Sequence, residues 1–97
     1  MEKSFAQLKR DLQVGTKLKC IYNLHGKNLN TIRTINKRQT NGLYLETKIL
    51  DKGTFSSWLM FPKKADQVLY ENNNFRFYET INNTKTLVLE YEIIKED

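Results

Sequence analysis

The chain has 97 residues, 39% apolar and 28% charged, with a formal net charge of +5. That is one domain with one modest core, too small for a second functional lobe and too apolar for global disorder. No stretch approaches the roughly 20 apolar residues that a membrane span requires.

The charge is unevenly placed. Residues 1–42 carry nine Lys/Arg against two acids, a net of +7, and residues 43–97 carry seven against nine, a net of −2. A small domain with its positive charge gathered in one half is suited to an anionic partner. Asn (10), Lys (12) and Ile (7) are used heavily, as AT-rich coding DNA would impose, so part of the basicity is compositional. The N-terminus has no apolar signal core, and the single Cys20 reads as a reduced, buried thiol. Both point to the cytoplasm.

The elements follow in chain order. Ser4-Phe5-Ala6-Gln7 fits a capping box, and Phe5, Leu8 and Leu12 form one apolar stripe, predicting a helix over 4–13 that Gly15 stops. Lys9 and Arg10 fall off the stripe, on the solvated side. From Lys17 the period drops to two. Leu18, Cys20 and Tyr22 share one face of the first strand, and Lys17, Lys19 and Ile21 the other. Asn23 to Asn30 is a polar loop. Residues 31–39 form a second strand, with Arg33, Ile35 and Lys37 on one face and Ile32, Thr34 and Asn36 on the other. Neither face is cleanly apolar, so its register stays open.

Asn41-Gly42 is a hairpin signal of the kind in which both turn residues take positive φ. Leu43 to Leu50 returns, with Leu43, Leu45 and Ile49 opposite Tyr44, Glu46 and Lys48. Asp51-Lys52-Gly53 turns the chain, and Thr54 to Phe61 is a strand closed by Pro62. Pro62 to Asp66 is a helical turn or loop and Val68 to Tyr70 a short strand. Phe75 to Ile81 and Thr86 to Ile94 alternate around a turn at Asn82-Asn83-Thr84-Lys85, and a charged tail ends the chain. The expected fold is α+β and mostly antiparallel: an N-terminal helix followed by five to six short strands forming a curled sheet or small SH3-like barrel, in a single domain spanning 1–97.

The inventory of reactive groups is thin. Cys20 and His25 are the sole thiol and imidazole. A core thiol beside an exposed loop histidine fits them better than a nucleophile and base, because a catalytic cysteine needs an exposed electropositive niche. They fall short of the four ligands of a structural zinc site. The acids Glu79, Glu90 and Glu92 alternate along strand exteriors rather than pairing, and the glycines are isolated turn residues, not a phosphate loop. The expectation is a protein that is not an enzyme, with no cofactor, no metal, no membrane contact and no small-molecule substrate.

Two binding readings remain. In the first, a basic face of the first three strands grips DNA or RNA through Lys17, Lys19, Lys27, Arg33, Lys37, Arg38, Tyr44 and Lys48, with cations on phosphates and rings on bases. Glu46 interrupts that face, and a merely solvated lysine surface is its plain alternative. In the second, Trp58 and Met60 or an edge strand dock a protein, such as a host protein. Alternation puts Phe55, Ser57, Leu59 and Phe61 on one face and Trp58 and Met60 on the other. The competing expectation for Trp58 is burial under Phe5 and Leu8.

The run Gln39-Thr40-Asn41-Gly42-Leu43-Tyr44, then Ser57-Trp58-Leu59, Phe61-Pro62-Lys63-Lys64-Ala65 and the closing Leu89-Glu90-Tyr91-Glu92-Ile93, resembles small uncharacterised proteins of phages and integrated mobile elements in Gram-positive bacteria. Leu12-Gln13-Val14-Gly15-Thr16-Lys17-Leu18 is similar too. That group carries no established activity, so the resemblance implies only a setting: an accessory binding module of a mobile element.

Overall fold

The computed structural model describes residues 2–26, 29–49 and 53–95. The expectations for Lys27, for the Asp51-Lys52 turn and for the end of the tail lie outside the described residues, as do those for the side chains of Lys48, Ile49 and Phe55.

The helix α1 runs Phe5–Asp11, shorter than the stripe predicts. Half of the capping box forms. The Gln7 amide donates to Ser4 Oγ at 3.0 Å, but the Gln7 side chain turns forward and donates to Asp11 Oδ1 at 2.8 Å. Leu8 and Leu12 are fully buried.

Eight strands are described, more than the five to six expected: β1 (Glu2–Lys3), β2 (Lys17–Asn23), β3 (Ile32–Gln39), β4 (Gly42–Ile49), β5 (Gly53–Met60), β6 (Val68–Glu71), β7 (Asn74–Ile81) and β8 (Thr84–Ile94). They form one antiparallel sheet in the order β1, β6, β7, β8, β2, β3, β4, β5.

The sheet curls. Four strands separate β7 from β5 in that order. In a flat sheet the two would stand roughly 24 Å apart, at about 4.8 Å per step. Yet Phe61, directly after β5, has its ring centroid 6.2 Å from that of Phe77 in β7. The inner face holds Leu18, Cys20, Ile35, Leu45, Phe75 and Tyr91, all at most 2% exposed. The helix lies over this core, and Phe5 meets Phe61 edge-on at 5.7 Å. The curl stops short of closure: β1 and β5 end the order and do not pair with each other.

The hairpin at Asn41-Gly42 forms with a different turn. Gln39 pairs with Gly42, so Thr40 and Asn41 make the loop, and neither Asn41 nor Gly42 takes a positive φ. Gly42 is needed for another reason. A Cβ there would collide with the Leu59 carbonyl oxygen and meet Trp58 Cζ2 at 2.8 Å. The turn with two left-handed residues lies instead at Asn82 (φ 52°) and Asn83 (φ 63°), between the paired residues Ile81 and Thr84, the geometry that matches strand twist.

Candidate functional site

Strand register decides where the cations go. Lys17 and Lys19 alternate with the buried Leu18 and Cys20, so both project from the outer face. Lys37 joins them only because β3 bulges. The register steps from Ile35–Leu45 to Lys37–Tyr44, leaving Asn36 as the extra residue, and one extra residue reverses the facing of everything after it. Asn36 reaches across β4 and donates to Ser56 Oγ at 2.8 Å.

Two of the expected contact residues are drawn elsewhere. Arg33 precedes the bulge and shares the inner face with Ile35. It is 4% exposed, with Nε donating to Thr47 Oγ1 at 2.9 Å and Nη1 to the Tyr91 hydroxyl at 3.1 Å. It is a core residue, not part of an exposed basic face. Arg38 is exposed but engaged with the helix: Nη2 donates to the Lys9 carbonyl at 2.6 Å and Nη1 to Gln13 Oε1 at 3.2 Å. It ties α1 to β3.

The remaining outer face is of mixed sign. Lys19 stands opposite Glu92. Glu46 stands opposite Thr34. Glu90 accepts from Arg76 Nε at 3.1 Å and from Asn74 Nδ2 at 2.8 Å. A continuous cationic platform over the first three strands is therefore absent among the described residues.

A smaller platform lies at the β3–β4–β5 corner. Register aligns Lys37, Tyr44 and Trp58 in one row across three strands. The Tyr44 and Trp58 rings tilt together at 5.0 Å, and the Lys37 ammonium stands 6.0 Å from the Tyr44 ring. Trp58 is 38% exposed and Met60 59%. The expected burial of Trp58 under Phe5 and Leu8 is overturned. Leu59 and Phe61 take the inner face, so strand parity sends Trp58 outward, where it lies over Gly42.

Beside this row opens a groove of about 510 Å³ that also contains Phe5, Lys9, Phe61, Met60 and Lys63, with no acid among the described residues that line it. The Lys9 ammonium rests 4.4 Å from the Phe5 ring and 5.6 Å from the Phe61 ring, held by cation–π attraction. On the far flank of Phe61 and Pro62, a second groove of about 390 Å³ includes Glu79. Lys9 and Lys63 escape sequence reasoning. The signal for Lys9 was its four-residue spacing from Phe5, which puts the two on adjacent helical turns. Lys63 follows Pro62 with no periodicity to place it.

Cys20 is fully buried and donates to the Tyr22 carbonyl at 3.7 Å. Burial pushes its thiol up, against the opposing influence of the Tyr91 hydroxyl and the Arg33 charge. His25 is exposed, its amide donating to Asn23 Oδ1. Among the described residues no three His, Cys, Asp or Glu gather as metal ligands, and no helix is long and apolar enough to cross a membrane.

Comparison with protein-family models, with curated proteins and with solved structures returns no match.

Proposed function

We propose that the protein is a non-enzymatic binding module for single-stranded nucleic acid, working at the β3–β4–β5 corner rather than over the first three strands. The observation that carries the reading is the Lys37–Tyr44–Trp58 row beside a groove that holds Lys9 and Lys63 and has no acid among its described lining residues. Exposed rings take the faces of bases without regard to sequence, and flanking ammonium groups follow the phosphates. Lysines rather than arginines supply the charge, which suits loose phosphate contact over forked recognition. A role in the cytoplasm, as accessory factor of a mobile element, accords with the residue resemblance and the AT-rich composition.

Trp58 is the only tryptophan, so its emission reports base stacking directly. Labelled single-stranded DNA and RNA are titrated with protein at about 50 and 200 mM salt, a range over which several phosphate contacts produce a large loss of affinity. The expected result is binding at the lower salt, quenching of Trp58 and collapse at the higher. Lys37→Glu weakens binding, and Trp58→Ala weakens it with less change in salt dependence. Absence of binding at the lower salt sinks the reading and turns attention to a protein partner for Trp58 and Met60.

A further inference from the structure

The two edges of the sheet differ in a way that identifies an interaction surface. β5 ends the strand order, and it pairs with β4 in unbroken register from Gly53 to Met60, with no bulge. Its sequence, Gly-Thr-Phe-Ser-Ser-Trp-Leu-Met, has no charged residue and no proline. Every other described strand carries a charge. Edge strands normally receive charges, prolines or bulges, because a bare row of amides and carbonyls templates pairing with another strand. Here the strands paired on both sides and the opposite edge carry charges, and this edge carries none.

We propose that β5 pairs antiparallel with β5 of a second copy of this chain, about a twofold axis near Ser56 and Ser57. The side chains select this occupant. On the outer face the strand runs from small, Thr54 and Ser56, to large, Trp58 and Met60. Antiparallel self-pairing lays the large half of one copy beside the small half of the other, for either axis position that keeps outer faces together. No like charges meet within the strand. The axis closes the assembly at two copies, because the opposite edge, β1, offers two charged residues and no matching surface. The pairing stands independently of nucleic-acid binding. It would also bring two Lys37–Tyr44–Trp58 rows onto one continuous face.

An eight-residue strand gives an interface below the standard size, so the dimer is a weak one. Sedimentation of the purified protein is followed from about 5 to 500 µM, the range that brackets micromolar association. The expected result is a doubling of mass within that range. Association strengthens as salt rises, because each copy carries +5 and screening relieves the repulsion. That salt dependence is opposite in sign to the one expected for oligonucleotide binding, so the two ideas fail separately. Ser56→Lys and Ser56→Glu each stay monomeric, and an equimolar mixture of the two restores the doubled mass. Should those variants fail to fold, the mass of the unaltered chain across the same range carries the test alone. A monomer at every concentration, open-ended polymers, or a mixture that remains monomeric overturns the proposal.

Discussion

The two edges of this sheet are finished by different means. At one, β1 is two residues long, both charged, and leads within one residue into α1. It lies on β6, where the Lys3 ammonium stands 5.1 Å from the Tyr70 ring. The Tyr70 hydroxyl then donates to Asp11 Oδ2 at 2.6 Å, fastening the helix to the same edge. At the other, β5 is long, regular and uncharged, and among the described residues no strand pairs with it beyond β4. The first edge is closed by a local device of charge and hydrogen bonding. The second is left with pairing capacity, an exposed tryptophan and a groove. The contrast teaches that the helix stabilises one margin of the sheet and, through Phe5 and Lys9, also furnishes a wall of the site at the other.

Substitutions that break this division should rank by what they remove. The largest effect is expected at Leu8, the fully buried residue on the core side of α1. Leu8→Ala should cost about 2–5 kcal/mol, from lost transfer energy and a residual cavity, read as a fall in the urea midpoint. Next is Gly42→Ala, which forces Trp58 and the Leu59 carbonyl aside. It should cost about 1–3 kcal/mol as an overpacking defect and shift the Trp58 emission, because the ring lies over that glycine.

Tyr70→Phe removes the hydrogen bond to Asp11 and should cost about 1 kcal/mol near neutrality. That cost depends on pH. The Tyr70 hydroxyl holds the Asp11 carboxyl below its ordinary value of 3.8, with help from Gln7 and Lys3 and against partial burial. A carboxyl depressed in the folded state contributes fully above its unfolded pKa and loses that contribution as pH falls through the folded one. Unfolding curves of Tyr70→Phe and the parent should therefore converge in acid and separate again above about pH 5, where an unperturbed carboxyl is ionised. The smallest effect is expected at the bare edge. Met60→Lys, at an exposed position, should change stability by no more than about 0.5 kcal/mol while altering association. A large loss there would mean that β5 is held by more than β4.

Much of the segmentation was legible. Period-two alternation marks β4, β7 and β8 to within a residue or two at most ends, and the Phe5–Leu8–Leu12 stripe marks the helix. β1 was not legible, because two charged residues carry no periodicity and pair only once β6 is in place. The Asn41-Gly42 signal located a hairpin but misassigned the glycine, whose role depends on Trp58 from the next strand. The site was legible in part. Tyr44 and the outward parity of Trp58 follow from alternation, but Lys37 does not: alternation keeps it on the face of Ile35, and the bulge at Asn36 brings it to their side. Arg33 was misplaced because an arginine beside polar neighbours reads as solvent-facing. Thr47 and Tyr91, which accept from it inside the curl, come from β4 and β8.

The sequence by itself determined the helix and the run of strands that follows it, the antiparallel class and the concentration of positive charge in the first half. These depend on neighbours two to four residues apart, and local backbone geometry sets them. Only the tertiary structure decided which face of each strand is inner, where an extra residue reverses that facing, and which edge stays open. Those outcomes depend on contacts between residues far apart in the chain. Cross-strand packing and curl, not local periodicity, set their free energy.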